Sequence, residues 1–522
     1  MSLIVNKKDL SPKEEALLLK QSKIQELRTN FNPYPKTHKL YKDMGSYYIF
    51  PRAIGIPGKT WQEYHSLPDY KIKFTCSTKL FTGNDGENPD IRGENRNQVE
   101  IINECMKQFK ERGYSFLNLS TGLGKTLCAM HAIQKLGRRA LFIVFNLELQ
   151  QQTYDEIKKN TDARVVWFRG KKEPPPDTQI VVCGLVKAAK SDIKFLSSFQ
   201  TLVLDECDQT AAISYLPVFL KSCPTYLLGL SATIKKSNGF EKMMYKYFGS
   251  KDEFIYRFIK KPNASVVKYQ TNFIPNIETK VNVLGDIQID QHEINKSLAE
   301  NVDRNELIAN LVYEKSLDGQ CLVLSPRKEN IHWLYEKLLE RVSGKSKKEF
   351  LKQCDQFLKP KWKEYLKEFT LVEKAKFISE NSKRQSLRES AAAFYKASQM
   401  VDFKTVGKKN IDKNCQILIG GLMSCGRGFD CKAKYVFILG IPPNLTQFAG
   451  RLRDPFGSIY IFVDKWDKFE NDWTKKSMPY LRQLGCKIFF QTQGDDAHQP
   501  YILVKKKKEV YVPILDDFSG EN

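Results

Sequence analysis

The chain has 522 residues, of which 41% are hydrophobic and 27% charged, and its formal net charge is +23 at pH 7. This length accommodates about two or three domains, and this composition excludes the disordered and fibrous classes of protein. No apolar run reaches the length that crosses a bilayer and no secretion signal opens the sequence, so we predict a cytoplasmic protein without a membrane partner.

The surplus of lysine and arginine indicates a polyanionic partner, because basic side chains release the counterions that condense on nucleic acid. Nucleic acid is therefore the expected partner, and charge alone does not distinguish DNA from RNA. The 12 cysteines include no C-x-x-C pair, which predicts reduced, buried thiols rather than a zinc site or a disulfide framework.

Residues 1–90 contain none of the motifs described below, and we interpret them as an N-terminal accessory module. Ser11-Pro12-Lys13-Glu14 matches a capping box with proline in the first turn, which predicts that an amphipathic helix begins here. The stretch that follows is rich in proline, tyrosine and basic residues and suits a short β-rich or irregular element. A nucleic-acid clamp and a plain packing domain are both compatible with it.

Two α/β domains are predicted in tandem. The first, residues 91–262, alternates helical stretches with the apolar segments SFLNLS, ALFIVF, VVWF, QIVVCG, TLVLDE and TYLLGLS. The second, residues 302–465, contains QCLVLS, CQILIGG, YVFILG and IYIFVD. Strands that are apolar throughout are buried on both faces, so each domain is expected to hold a parallel sheet covered by helices. We interpret residues 263–301 as a linker and residues 466–522 as a C-terminal extension.

A long lysine-rich stretch interrupts the second domain at about residues 343–410. Its helical periodicity predicts an inserted helical subdomain. A solvated surface excursion and a nucleic-acid contact are both open interpretations of this insertion.

The segment SFLNLSTGLGKTLCAMHAI reads as a strand, a glycine turn and a helix, which is where a phosphate-binding loop lies. Lys125 is expected to reach the β- and γ-phosphates of ATP, and the Thr126 hydroxyl to bind Mg²⁺. The complete phosphate-loop pattern would have glycine in place of Leu119. The backbone expected to surround the phosphates belongs to Thr121, Gly122, Leu123 and Gly124.

About 80 residues later, TLVLDECDQT is an apolar strand that ends in two carboxylates. We expect Asp205 to hold the magnesium ion and Glu206 to orient and deprotonate the attacking water. Adjacent residues on an extended strand point in opposite directions, and the two roles require two directions.

STGLGKT, DECD and LSAT resemble, in order, the core signatures of the first domain of superfamily 2 helicases. CLVLSPRKENIHWLYEKL, GLMSCGRGFD and QFAGRLRD resemble those of the second domain. This resemblance spans roughly residues 95–454, and six signatures in register make coincidence remote. It implies two RecA-like domains, ATP and Mg²⁺ bound in the cleft between them, and movement along nucleic acid.

The resemblance also implies roles for single residues of the first domain. Gln98 stands where these helicases place a glutamine that reads the adenine. Asp208 ends the second motif where many relatives have histidine. Together with Ser231 and Thr233 of the third motif, it would couple the ATP site to the nucleic-acid path.

In the second domain, Asp430 would line the ATP cleft, Gln447 would contact its catalytic region and Arg451 would face the γ-phosphate. Such an arginine stabilises charge that develops on the transferred phosphoryl group. Arg453 follows two residues after Arg451, whereas the family has its second arginine three residues after the first, at the position of Asp454 here. Which arginine faces the phosphate therefore stays open.

Within the superfamily, the chain is similar to the poxvirus-type transcript-release DNA helicases of large cytoplasmic DNA viruses. The similarity rests on TGLGKT, LGLSATIKKSNGFEKMM, GRGFDCK and the tail VDKWDKFENDWTKKSMPYLRQLGCKI, which in those proteins passes through a helix into a last strand. It implies DNA as the track, without base-specific reading, and a role in transcription or repair. RNA polymerase or other transcription proteins would be partners, and the host cytoplasm, virus factory or virion the location.

Three alternatives stay open. An RNA helicase has the same core, although the relaxed second motif and the incomplete Q-box disfavour the DEAD-box class. A restriction-type translocase would need nuclease residues, and the sequence shows no such constellation. A nucleic-acid-binding subunit with an inactive ATPase would have lost catalytic groups, and the lysine and carboxylates of the site are present.

Overall fold

The computed structural model describes residues 2–28, 34–55, 71–82, 97–120, 122–210, 212–232, 240–257, 264–281, 287–404, 411–412, 414–422, 433–440, 452 and 456–494. The chain forms two compact units, Met1–Ile259 and Lys260–Asn522. Each unit contains a seven-stranded sheet in which all paired neighbours are parallel. The two sheets and their helices confirm the predicted α/β architecture of tandem RecA-like domains.

The N-terminal part of the first unit is a small β structure with one long helix. Its strands are β1 (Ser2–Asn6), β2 (Lys23–Gln25), β3 (Thr37–Lys39), β4 (Lys42–Asp43) and β5 (Tyr47–Pro51). Strands β1, β5 and β4 form an antiparallel sheet in that order, and β2 pairs with β3. The helix Pro12–Gln21 begins at the predicted capping box, because Ser11 and Glu14 cap each other reciprocally.

This N-terminal part packs against the first seven-stranded sheet and shares a unit with it. Arg52 is 2% exposed, and its guanidinium donates to the carbonyls of Pro224 and Thr225, just before a strand of that sheet. Burial lowers the pKa of Arg52 to about 9. The module is therefore fixed to the first α/β domain by a buried cation as well as by apolar packing.

The first sheet has the order β12-β6-β11-β10-β7-β9-β8. Its strands are β6 (Tyr114–Leu119), β7 (Ala140–Val144), β8 (Val165–Phe168), β9 (Ile180–Gly184), β10 (Thr201–Leu204), β11 (Tyr226–Ser231) and β12 (Ile255–Arg257). The helices described around it are Gln98–Arg112, Lys125–Leu136, Leu147–Asn160, Leu185–Lys190, Ile193–Ser197, Leu216–Lys221 and Glu241–Phe248. Successive residues of β7 enter two different apolar clusters, so the sheet is buried on both faces, as its uniformly apolar strands predict.

The second sheet has the order β17-β18-β16-β19-β20-β13-β21. The strands of this unit are β13 (Ser265–Gln270), β14 (Thr279–Val281), β15 (Ile287–Ile289), β16 (Cys321–Ser325), β17 (Val401–Lys404), β18 (Ile417–Gly421), β19 (Tyr435–Ile438), β20 (Ser458–Val463) and β21 (Lys487–Thr492). Strands β14 and β15 form a separate antiparallel ribbon. The helices outside the insertion are Gln291–Glu300, Val302–Ser316, Lys328–Ser343, Asp467–Asp472 and Met478–Gln483, the last two joined by a π-helix over Trp473–Ser477.

Two stretches outside the predicted second domain contribute strands to its sheet. The segment interpreted as a linker, 263–301, supplies β13, which pairs with β20 and β21. The segment interpreted as a C-terminal extension supplies β21. Strand β13 breaks the apolar pattern with Lys268, which is 8% exposed and forms an ion pair with Glu470, so its burial depends on a residue remote in sequence.

The insertion consists of the helices Lys347–Phe357, Pro360–Tyr365, Leu371–Asn381 and Gln385–Ala397. Its buried face, which includes Phe350 and Phe394, belongs to the same apolar cluster as the second sheet. The chain then enters the sheet as β17, so the predicted range 343–410 includes an edge strand as well as helices.

The structure also describes most of the cysteines, which were expected to be reduced and buried, and the helices, none of which was expected to cross a membrane. All ten cysteines that the structure describes are free, and nine of them are buried. Within the described ranges, every helix is too short or too polar to cross a membrane.

Candidate ATP-binding and hydrolysis site

Three neighbouring strands of the first sheet carry the predicted site. Strand β11 lies between β6 and β10, and all three run parallel. The phosphate loop follows β6, the acidic pair follows β10, and Ser231 ends β11. Because the carboxyl ends of parallel strands meet at one edge of a sheet, the fold brings these groups together.

The phosphate loop turns through two glycines in the left-handed region. Gly122 has φ +90° and Gly124 has φ +74°, a conformation that residues with a Cβ rarely adopt. Gly124 is the N-cap of the helix Lys125–Leu136, and no side chain caps that helix. The N–H groups of its first turn therefore face the loop, where they can bind an anion.

Gln98 packs directly beneath this loop. Its side chain is 3% exposed; Nε2 donates to the carbonyl of Leu123 at 2.8 Å, and Oε1 accepts from the N–H of Phe81 at 2.8 Å. A Cβ on Gly124 would lie 2.5 Å from Nε2, so the Gln98 side chain would have to shift, and the backbone angle of Gly124 favours glycine in any case. The amide keeps a second N–H and a second lone pair for a ligand.

Lys125 and Thr126 occupy the first turn of the helix and are half-buried. The ammonium of Lys125 lies 3.5 Å from the carbonyl oxygen of Leu119, a long and weak contact. The amine is thus tethered loosely over the start of the loop, at the position from which it would contact phosphate oxygens.

The acidic pair lies beyond the end of its strand, which corrects one step of the sequence interpretation. Strand β10 ends at Leu204, and Asp205 and Glu206 form a turn. Glu206 has φ +45°, and it is the one described residue other than glycine with positive φ. The two carboxylates are therefore separated by a left-handed turn rather than by strand alternation, and strain of this kind is concentrated at functional sites.

The electrostatics of Asp205 are unusual for a carboxylate. Its side chain is 8% exposed. Burial, and next the nearby charge of Glu206, raise the pKa of Asp205 to about 7, whereas Lys125 acts in the opposite direction. A cation bound at this carboxylate would replace the lost solvation, and the hydroxyl of Thr126 would be a second oxygen ligand of the kind that Mg²⁺ prefers.

Two of the predicted coupling residues contact each other. The Ser231 hydroxyl donates to the Asp208 carboxylate at 2.9 Å, and both side chains are buried.

Asn118 was missed by the sequence analysis. With its amide nitrogen oriented toward them, it donates to the carbonyls of Ser231 and Ala232 at 3.2 and 3.3 Å. The signal for it was a polar residue within the apolar strand SFLNLS, at the position that pairs with Ser231.

Several predicted site residues are not described structurally. Their roles as nucleotide, coupling or catalytic groups stay predictions. These residues are Thr121, Thr233, Asp430, Gln447, Arg451 and Arg453.

Comparison with known proteins agrees with this site. Residues 93–236 match the family model described as "Type III restriction enzyme, res subunit", and this range contains the phosphate loop, the acidic pair and Ser231. No other part of the chain is covered by that match.

The chain is also similar to viral proteins. It is 22% identical over 408 residues to "Putative helicase 161L" of Invertebrate iridescent virus 6, covering 76% of this chain and 82% of that protein. It is 24% identical over 484 residues to a "Putative ATP-dependent RNA helicase" of Acanthamoeba polyphaga mimivirus, covering 90% and 80%. It is 31% identical over 160 residues to a "Putative ATP-dependent RNA helicase" of African swine fever virus, covering 29% and 31%. The chain is therefore similar to proteins of large DNA viruses that are named putative helicases, and its fold is consistent with this similarity.

Proposed function

We propose that this chain is an ATP-dependent DNA translocase or helicase that binds ATP and Mg²⁺ on its first α/β domain and hydrolyses the ATP when nucleic acid is bound. The observation that carries the proposal is that the phosphate loop and the acidic pair, of which Asp205 is buried and Glu206 half-buried, follow two parallel strands separated only by β11. Either feature alone is common, whereas both at one sheet edge match the requirements of phosphoryl transfer.

In this mechanism the first α/β domain binds and orients the nucleotide. The helix N-terminus and Lys125 bind the phosphates, and Gln98 holds the loop in its turned conformation. Thr126 and Asp205 would hold Mg²⁺, which neutralises charge on the phosphates. Ionisation of Asp205 is favoured by the cation, which offsets the effect of burial on its pKa.

Glu206 is proposed to be the general base. Its carboxylate would accept a proton from water as the water oxygen attacks the γ-phosphorus and the bond to the β-phosphate oxygen breaks. We propose that Arg451 or Arg453 stabilises the charge on the transferred group, that Gln447 contacts the catalytic region, and that Asp430 lines the nucleotide cleft. These four residues come from the second domain, so hydrolysis would require both domains.

The Ser231–Asp208 hydrogen bond supports a coupling role for the third motif. Asp208 lies two residues after Glu206, and Ser231 precedes Ala232 and Thr233 in the LSAT segment. A movement of the acidic turn on hydrolysis would therefore be transmitted to the LSAT segment, which we propose contacts the nucleic-acid path together with Thr233.

DNA is proposed as the track because the chain resembles transcript-release DNA helicases. RNA is the second candidate, since two of the similar viral proteins carry the name ATP-dependent RNA helicase. By the same resemblance we propose a role in viral transcription or repair, with RNA polymerase or other transcription proteins as partners. The corresponding proposed locations are the host cytoplasm with its virus factory, and the virion.

ATP turnover in the presence of different nucleic acids tests this proposal. We expect single-stranded or duplex DNA to stimulate hydrolysis at least about tenfold and RNA of the same length to stimulate it less. Stimulation by RNA alone would replace the DNA assignment with the RNA one. Turnover that no nucleic acid changes would contradict a nucleic-acid motor.

A further inference from the structure

The insertion in the second unit exposes a short segment that differs from the rest of its surface. Residues 359–367, KPKWKEYLK, include four lysines and one glutamate. All of these residues are exposed except Leu366, which is 2% exposed and belongs to the apolar cluster of the unit. We call Lys359, Lys361, Trp362, Lys363 and Tyr365 the basic-aromatic surface.

The two aromatic rings of this surface are held in place yet open to solvent. Trp362 is 39% exposed and Tyr365 is 54% exposed, and they lie three residues apart on the helix Pro360–Tyr365. Both rings contact Phe377 of the next helix, with centroids at 5.2 and 5.5 Å, and Tyr365 also contacts Phe369 at 5.1 Å. Each ring therefore packs against its neighbours and remains partly accessible to solvent, as an aromatic ring that stacks on a base must be.

The lysines of the surface are not neutralised by the protein. Lys359, Lys361 and Lys363 form no ion pair with any residue that the structure describes, and the nearby Glu364 lies 3.9 Å from Lys367. Elsewhere in the insertion, Lys347 is paired with Glu336. In the sequence, the three lysines without an ion pair alternate with or adjoin the two aromatic residues. Positive charge and exposed aromatic rings therefore lie on the same short segment.

We propose that the basic-aromatic surface is a second nucleic-acid contact of this protein, which binds single-stranded nucleic acid by base stacking on Trp362 and Tyr365 and by phosphate contacts with the three lysines. Single strands are favoured over duplexes because a ring can stack only on a base face that is not already covered by a neighbouring pair. The charge complementarity is that of a polyanion with any base sequence.

The basic-aromatic surface would bind the nucleic acid and take no part in ATP hydrolysis. Only the identity of the polymer, DNA or RNA, rests on the proposed function. The contact is remote in sequence from the ATP-binding motifs, and none of its residues is assigned to catalysis. Its loss should therefore weaken binding and leave ATP turnover without nucleic acid unchanged.

Equilibrium binding of the full chain to fluorescent single-stranded DNA of about 20 nucleotides, and to RNA and duplex DNA of the same length, tests the proposal. Trp362→Ala is expected to weaken single-strand binding roughly tenfold and duplex binding by less than about twofold. The triple variant Lys359→Gln, Lys361→Gln, Lys363→Gln should reduce the slope of log affinity against log salt by about 2 for single strands. The DNA and RNA arms identify which polymer is preferred.

Matched variants separate this contact from general effects. Trp362→Phe keeps a stacking ring and should restore most of the affinity, provided all variants melt at the wild-type temperature. Tyr256→Ala removes an aromatic side chain that is 50% exposed in the first unit and should not change binding. The triple variant Lys345→Gln, Lys348→Gln, Lys352→Gln removes the same charge from exposed positions elsewhere in the insertion, and should change the affinity by no more than about threefold.

Two results would overturn the inference. Wild-type affinity of Trp362→Ala for both single-stranded polymers would show that the rings serve another partner, such as an acidic protein. An equal loss of single-strand affinity in the two triple lysine variants would show that only the net charge of the protein matters, and not the position of these lysines. If the wild-type ATPase is still stimulated by nucleic acid, the proposed function stands in either case; if the wild type binds no nucleic acid, both proposals fail.

Discussion

Each of the two sheets has a buried aspartate at the carboxyl end of one of its strands, and the protein treats the two carboxylates differently. Asp464 follows β20 and is 0% exposed; Arg304 contacts it through Nε at 2.6 Å and Nη2 at 3.0 Å, and the Thr271 hydroxyl donates at 2.6 Å. Asp205 follows β10 and is 8% exposed, and no described cation forms an ion pair with it.

We interpret Asp464 as a structural carboxylate, and we propose that Asp205 is a functional one. The charge of Asp464 is compensated within the protein by a two-pronged guanidinium, which joins the ends of β13 and β20 to the helix Val302–Ser316. The charge of Asp205 is left for a ligand to compensate, so burial raises its pKa to about 7. The buried, uncompensated charge of Asp205 lowers the stability of the folded protein at the edge of the first sheet. Such a loss is common where a protein keeps a binding site.

The largest expected effect on stability is that of Asp464→Asn. This variant leaves the guanidinium of Arg304 buried without its counter-charge, which costs about 3–5 kcal/mol in comparable sites. Urea unfolding of the full chain is the measurement. Glu364→Gln, at a side chain that is 79% exposed, is the control and should change the free energy of unfolding by less than about 0.5 kcal/mol. A loss of similar size in both variants would refute the structural role of Asp464.

Asp205→Asn is expected to raise the free energy of unfolding, whereas Asp464→Asn lowers it. The raised pKa means that the folded protein binds a proton between about pH 4 and pH 7 that the unfolded chain has released, so wild-type stability falls as pH rises through this range. The variant lacks this dependence. Without Mg²⁺ and nucleotide, it should be more stable than the wild type by roughly 2 kcal/mol above pH 7, and the gain should vanish below about pH 4.

Thermal unfolding over a pH series measures this prediction. Glu148→Gln, at an exposed position of the first unit, is a suitable charge control. A gain for Asp205→Asn that is the same at pH 4 and pH 8 would contradict the pKa explanation. Saturating ATP and Mg²⁺ should reverse the order, because only the wild type keeps the carboxylate ligand.

The smallest effect is expected for Ser231→Ala. It removes the hydrogen bond to Asp208 inside the site and leaves a buried carboxylate oxygen without that donor, which costs about 1–2 kcal/mol. We expect ATP binding to persist while stimulation by nucleic acid falls several-fold. Ser231→Thr keeps the hydroxyl and should retain more of the stimulation by nucleic acid. Equal stimulation in the wild type and in Ser231→Ala would contradict a coupling role for this hydrogen bond.

The sequence predicts the sheets best where their strands are uniformly apolar. The strands β7, β9, β10 and β11 come nearest to this pattern, and β6 keeps it apart from Ser115 and Asn118; all five are fully or almost fully buried. Strand β13 escaped prediction because its buried Lys268 depends on Glu470, which local sequence does not reveal. Strand β12 has three residues and β17 has four, too few to show a period.

The site was predicted by residue type and order more than by geometry. Short motifs predict roles for Lys125, Asp205 and Glu206, because the chemistry of phosphate binding restricts such positions to a few residue types. The turned backbone of Glu206 and the contact between Gln98 and the loop are tertiary features. They depend on how β6, β10 and the helix Gln98–Arg112 pack, which no window of sequence contains.

The account depends on the first sheet edge being a hydrolytic ATP site, and steady-state ATP hydrolysis by Glu206→Gln tests this most directly. With saturating Mg²⁺ and DNA, the account predicts a fall in turnover of about 10³-fold with nucleotide binding retained, because the amide cannot accept the proton of the attacking water. Glu111→Gln, at a side chain that is 55% exposed in the first unit, is the charge-matched control. Wild-type turnover by Glu206→Gln would contradict the account.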